Sequence, residues 1–213
     1  MTGGPRGVGA VVVRVLLVCG SLQRRSANRA ALDVVRAMAV EHAATVEEFD
    51  ALADIPAFDF TRQDEPIAAV TEWRRRVAEA DVVVMAAPEY AGGLAGVAKN
   101  ALDWLVGSGD LYRKPVALLS AGTSGGIHAR RQLVQTLTWQ GAYVVAELGI
   151  SVPRTKSDQR GQIIDHETLD EIGALAAAGL EAPGLDGAEL ADVAAHVVVS
   201  LGVEVTHVAP PAA

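Results

Sequence analysis

The stretch VVVRVLLVCGSLQRRSANRAAL, residues 11–32, decides the reading of the fold. Residues 11–18 are aliphatic and largely β-branched apart from Arg14, the pattern of a strand buried on both faces. Gly20 and Ser21 break the run. From 28 to 42 the apolar residues recur at helical spacing, with Ala31, Leu32, Val35 and Met38 on one stripe and Arg29, Asp33 and Arg36 off it. A strand that turns directly into a helix leaves the first helical N–H groups and the positive end of the helix dipole facing the turn, which is a site for an anion. Ser21, Ser26 and Asn28 can donate hydrogen bonds to phosphate oxygens, and Arg24 or Arg25 can supply charge. The turn has neither the Gly-Lys-Ser/Thr ending of a Walker loop nor three spaced glycines, so the anion it predicts is a monophosphate. An ordinary helix start, with Ser26 as N-cap and the arginines in solvent, explains this loop alone equally well.

The alternation continues along the chain. Strands are predicted at 45–50, 81–88, 114–122 and 142–152, with helices at 67–80, 96–106 and 126–140 and Ala-rich helices at 167–180 and 187–201. Doubly buried strands with intervening helices predict an α/β fold: a doubly wound, five-stranded parallel sheet with helices on both faces. In such sheets ligands bind beyond the carboxyl ends of the strands, where the strand order reverses. Three loops fall there. One follows Cys19. The second lies in APEYAGGLAGVAKNALDWL, 87–105, where Pro88 ends a strand and Glu89, Tyr90 and Ala91 sit at its edge. Gly92, Gly93 and Gly96 there allow close approach of a flat ring. A Gly-rich connector capped by Tyr90 is the plainer alternative. The third is SAGTSGG, 120–126, with hydroxyls and exposed amides, or a simple turn and N-cap. The polar loop at 51–66 is long enough to be expected at a pocket. The RRR run at 74–76 reads as a solvated helix face.

Bulk properties narrow the function classes. The chain has 213 residues, half of them hydrophobic and few aromatic, which suits one α/β domain with an aliphatic core. Residues 1–10 are expected to be a disordered leader, 11–205 the domain with an Ala-rich segment at about 165–202, and 206–213 a tail. The net charge of −8 argues against a nucleic-acid partner. No apolar run reaches the length of a membrane span. Arg14 and Val18 argue against a secretory signal. The single cysteine, Cys19, forms no metal cluster or disulfide framework and favours a reducing compartment, so the cytoplasm is the expected location.

Taken together, GSLQRRSANRAAL and PEYAGGLAGVAKNALDW resemble the NADPH-dependent FMN reductase family, the flavodoxin-like quinone, chromate and azo-dye reductases. That family shows Gly-Ser-Leu-Arg and Ser-x-Asn after its first strand. After its third it shows Pro-Glu-Tyr-Asn and then Gly-x-x-Lys-Asn-Ala-Leu/Ile-Asp-Trp. The likeness runs from about 11 to 152. It implies a flavodoxin-like fold with non-covalent FMN, NADPH or NADH as transient co-substrate, and a small acceptor such as a quinone. Residue by residue, it implies phosphate contacts from Ser21, Ser26 and Asn28. Pro88, Glu89, Tyr90 and the backbone of Ala91 and Gly92 would support the isoalloxazine, and Ser120, Gly122 and Thr123 its other edge. No acid or base is assigned, because the flavin carries the hydride. Lys99, Asn100 and Asp103 match an oligomer-forming segment, implying a homodimer or homotetramer through 96–106. The chain departs from the pattern at Gln23, where arginine is usual and Arg24 or Arg25 can compensate, at Ala91, where asparagine is usual, and at His128, near a usual arginine. A flavin-binding electron carrier and a degenerate member with weakened flavin binding are the alternative readings.

Overall fold

A computed structural model describes residues 12–204; the expected leader and the tail at 206–213 lie outside the described residues. In chain order the elements are β1 (Arg14–Cys19), α1 (Ala27–Glu41), β2 (Thr45–Phe49), α2 (Ala68–Glu79) and β3 (Val82–Ala86). A short hairpin of β4 (Glu89–Tyr90) and β5 (Gly93–Leu94) follows, then α3 (Gly96–Asp103), β6 (Pro115–Gly122), α4 (Ile127–Trp139), β7 (Tyr143–Ser151), α5 (His166–Glu181) and α6 (Gly187–Ser200). Five strands form one parallel sheet in the order β2-β1-β3-β6-β7. The order reverses at β1, which has β2 on one side and β3 on the other. This is the doubly wound, flavodoxin-like arrangement, and its crevice lies beyond the ends of β1, β3 and β6.

The alternation of side chains along each strand divides the core in two. Leu16 and Val18 of β1 face the same side as Val83, Met85 and Leu118, under Trp73 and Val77 of α2, Leu102 of α3 and Leu133 of α4. Val15, Leu17 and Cys19 face the other side, with Val84 and Leu119, under Leu32 and Val35 of α1 and Ile172 and Leu175 of α5. Each fully buried Leu, Ile or Val is worth roughly 1.5–3 kcal/mol of transfer free energy. The helix α6 supplies Val197 and Val198 to the first core and Leu190 and Val193 to the second. It therefore straddles the edge strand β7 and covers both of its flanks.

Several expectations shift. The first strand runs to Cys19, and its start is fixed by Asp81, whose carboxylate accepts from the Arg14 amide at 2.8 Å. The helix expected over 96–106 stops at Asp103. The loop at 51–66, expected at a pocket, is pinned against α3 instead. Asn100 accepts from the Phe58 amide at 2.8 Å and donates to the Pro56 carbonyl at 2.9 Å, and the Trp104 indole donates to the same carbonyl at 2.8 Å. Asn100, expected at an oligomer contact, is thus committed within the chain. The run at 74–76 is mixed. Arg75 and Arg76 pair with Glu72 on the helix surface, whereas Arg74 donates twice to the Trp104 carbonyl.

Candidate functional site

A cleft of about 1090 Å³ opens at the carboxyl edge of the sheet. Its near wall is the β1–α1 turn with Ser21, Gln23, Arg24, Arg25 and Ser26. Its far wall is Pro88, Glu89 and Tyr90 with Ala121, Gly122 and Thr123. All three loops singled out in the sequence reach it, although not through every residue.

The near wall carries unused donors. Ser21 Oγ accepts from the Gln23 amide at 3.3 Å, and Ser26 Oγ caps α1 by accepting from the Arg29 amide at 3.1 Å. Each hydroxyl has therefore filled an acceptor role and keeps its O–H to donate. The amides of Leu22, Arg24, Arg25 and Ser26 donate to no atom among the described residues. The first turn of α1 contains no acidic residue. The plain reading of Ser26 as N-cap is thus realised, and it coexists with an open anion cradle.

Asn28 does something else. It is buried, its Oδ1 accepts from the Ala121 amide at 2.9 Å, and its Nδ2 donates to the Ala121 carbonyl at 3.1 Å. The reason lies in the sheet. The strand β3 ends at Ala86, opposite Leu119, and the Ala87 amide still donates to the Leu119 carbonyl at 3.1 Å. Two residues on, Ala121 presents its peptide groups to the same side with no strand to meet them. The Asn28 carboxamide takes that place. The carboxamide thus ties the near wall to the far wall, while Asn28 still lines the cleft and its Nδ2 keeps a second N–H.

Glu89 is also turned inward. Its Oε2 accepts from the amides of His128 at 2.7 Å and Ala129 at 3.2 Å, so it caps α4, whose own N-cap, Gly126, has no side chain. His128 takes part through its backbone and does not line the cleft.

Ser120 is fully buried, and its Oγ has no partner among the described residues. It packs under Gly126, which is held at φ +62°. Its side chain does not line the cleft. Ala91 and Gly92 are likewise away from it. They form the two-residue turn of the β4–β5 hairpin, at φ +51° and +71°. Positive φ at both positions is the signature of a type I′ turn, for which Asn-Gly is the preferred pair. The asparagine usual at this position is therefore a turn former, and Ala91 removes no polar group from the cleft. The sequence hid this hairpin because alanine carries no turn signal.

Cys19 lies beneath the near wall. Burial pushes its thiol up, and Sγ lies 3.7 Å from the Ser21 carbonyl, which marks a protonated packing residue rather than a nucleophile. Two parts of the lining were missed from sequence: the outer face of α1 at Val34, Ala37 and Met38, and a turn at 157–164 with Arg154 beside it. The arginine at 160 was the available signal, being a lone cation in a polar turn.

The cleft lies at the carboxyl edge of the sheet beside the strand-order switch, the place where doubly wound folds bind their ligands. A sequence model of the NADPH-dependent FMN reductase family matches residues 13–156, and the chain belongs to that family. It is an oxidoreductase that uses FMN and NAD(P)H. A quinone reductase from Escherichia coli (strain K12) is 32% identical, over 78% of this chain and 94% of the relative. An NAD(P)H-dependent FMN reductase from Pseudomonas aeruginosa is 32% identical over 75% and 89%. Among solved structures, a flavoenzyme NAD(P)H:(acceptor) oxidoreductase from Paracoccus denitrificans shares the fold. Its TM-score is 0.68 at 23% identity, covering 81% of this chain and 98% of that one.

Proposed function

We propose that this cleft is the FMN seat and that the acceptor reduced there is a quinone or a similar small planar molecule. The observation that carries the reading is the pairing of an uncommitted anion cradle with a flat, mostly uncharged far wall in one cleft. The Ser21 and Ser26 hydroxyls, the free amides of the turn and the Arg24 or Arg25 guanidinium would hold the phosphate. Gln23 would contribute hydrogen bonds without charge. Pro88, Tyr90, Ala121, Gly122 and Thr123 offer apolar contact and backbone groups for a ring. When bound, flavin supplies the hydride-accepting and hydride-donating chemistry. Pro88, Tyr90 and the Ala121–Thr123 backbone would hold and orient that ring. The carboxylate nearest the ring end, Glu89, is committed to α4 and is assigned no proton transfer.

Self-assembly through the α3 region is part of the same reading. It is supported by Val106, Tyr112 and Trp139, each more than half exposed. The buried thiol of Cys19 suits the reducing cytoplasm.

The test is a spectral titration of flavin-free protein with FMN, followed by NADPH and then a quinone. The visible band should shift on binding, bleach with NADPH and return with the quinone. Arg24→Ala/Arg25→Ala should weaken FMN by about tenfold, the loss of a charge-assisted contact. A protein that takes up FMN without change in this double variant refutes the assigned cradle, and one that takes up none refutes the seat.

A further inference from the structure

Gly122 and Thr123 line the far wall of the cleft, but the loop they open is weakly constrained by its own sequence. Three of its five residues, 122–126, are glycines. Gly125 and Gly126 stand in tandem at φ +67° and +62°, and neither has a Cβ to restrict the peptide between them. Such a loop presents one fixed face to a ligand only if something outside it holds it.

The hold comes from beneath. Arg130, in the first turn of α4, donates from Nε to the Gly125 carbonyl at 2.9 Å, and its Nη1 pairs with Glu147 of β7. Neither residue lines the cleft. Their side chains are only 12% and 17% exposed, so removing one partner would strand a charge largely withdrawn from water. The guanidinium rests against β7 at Gly149. A Cβ there would come within 2.6 Å of Arg130 Nη2 and 2.7 Å of the Gly125 carbonyl oxygen, so any larger residue would push the guanidinium or the loop away.

The hold biases what the loop offers. Four of the six carbonyls from Ala121 to Gly126 accept within the chain: Ala121 from Asn28, Gly122 from the Gly125 and Val152 amides, Gly125 from the Arg130 guanidinium and Gly126 from the Arg130 amide. The Thr123 and Ser124 amides donate to no atom among the described residues. We infer that Arg130, held by Glu147, is a positioning residue for the flavin reaction: it draws the Gly125 carbonyl down toward β7 and so fixes the Thr123 amide as a donor toward the carbonyl edge of the ring. That edge is more electron-rich in reduced flavin, so a fixed donor beside it favours the reduced form. This rests on the flavin seat proposed above.

The test separates positioning from folding. Arg130→Met/Glu147→Met removes the pair with no change of net charge and no stranded ion. In urea unfolding the flavin-free double variant should be at least as stable as Glu147→Met, which leaves Arg130 unpaired. Its affinities for FMN and for riboflavin should nevertheless both fall by about tenfold, the worth of one charge-assisted hydrogen bond. Riboflavin lacks the phosphate and so reads the ring wall alone. The midpoint potential of the bound flavin, measured by dye-coupled reduction, should move to a more negative value. Gly149→Ala, which displaces the guanidinium and leaves every charge in place, should reproduce both effects. Leu190→Ala, a packing loss on the other face of the sheet, should leave affinity and potential as in the wild type. A double variant that keeps wild-type riboflavin affinity or wild-type potential overturns the inference while FMN still binds. A wild type that takes up no FMN overturns the flavin seat itself, and this inference with it.

Discussion

Replacing Asn28 by alanine separates a strap from a ligand contact. The substitution removes both partners of Ala121, whose amide and carbonyl lie at 2.9 and 3.1 Å from the Asn28 carboxamide in a buried position. An unsatisfied buried polar group costs about 1–3 kcal/mol, so two cost roughly 2–6 kcal/mol before water enters the space left behind. With partial hydration the expected loss is about 2–4 kcal/mol, within the 5–15 kcal/mol that a typical domain has. The melting temperature should fall by about 2–4 °C per kcal/mol for a chain of this size. The flavin-free protein must show the loss, in urea unfolding followed by circular dichroism, with an unchanged dependence on denaturant. FMN affinity should then fall as a consequence, because the two walls of the cleft are no longer held together. Asn28→Asp provides a second arm. At neutral pH its carboxylate still accepts from the Ala121 amide but faces the Ala121 carbonyl, so it should be no better than alanine. The reasoning fails if Asn28→Ala leaves the flavin-free protein within about 0.5 kcal/mol of wild type and weakens only FMN. That result would mean that the carboxamide serves the phosphate.

Three further outcomes are expected. Ala91→Asn should stabilise the protein by about 0.5–1 kcal/mol by supplying the residue that the left-handed turn prefers, and FMN affinity should not change; a fall in stability or a change in flavin binding contradicts the turn assignment. Gly126→Ala should cost about 2–5 kcal/mol, of which about 1–2 is the left-handed backbone and the rest the collision of its Cβ with Ser120. A prior Ser120→Gly change should relieve the collision part, and no coupling between the two substitutions in urea unfolding would contradict the packing described. Finally, stability should fall on acidification. Hydrogen bonds from Thr168 hold the Asp165 carboxyl below its usual value, hydrogen bonds from the Glu189 and Ala188 amides do the same for Asp186, and those from Arg75 and Arg76 bring Glu72 to about 2. For a depressed carboxylate the stabilisation is complete above the unfolded value, about 4, and is lost as pH falls through the folded one. Thermal melts should therefore be flat from about pH 7 to 5 and drop below about pH 4. Asp165→Asn, which keeps a cap, should flatten part of that drop; a melting temperature that rises below that point contradicts it.

The strands and helices could be read from sequence because their patterns are strong and local. Leu16, Val18, Val83 and Met85 are apolar whichever neighbour they meet, and Ala31, Leu32 and Val35 fall on one helical stripe regardless of the sheet beneath. Asn28 shows the limit. Its place in the first turn of α1 was legible, but a polar residue there can face a ligand or the protein. What decides is that β3 stops two residues short of Ala121, a fact of strand length across 93 positions of sequence. Glu89 is similar, since its partner is a helix terminus 39 positions on. Asn100 and Trp104 stood in a recognisable motif, yet their carbonyl partner Pro56 lies in a loop with no regular pattern. Ala91 was unreadable for the opposite reason: the backbone there is unusual and the residue is not.

One consequence follows from the way two helices begin at the same sheet edge. Both α1 and α4 turn their positive ends outward, and either could hold a phosphate. The protein silences one of them with its own Glu89 carboxylate and leaves the other open. A neutral residue at 89 would leave the first amides of α4 without the acceptor that Glu89 now supplies.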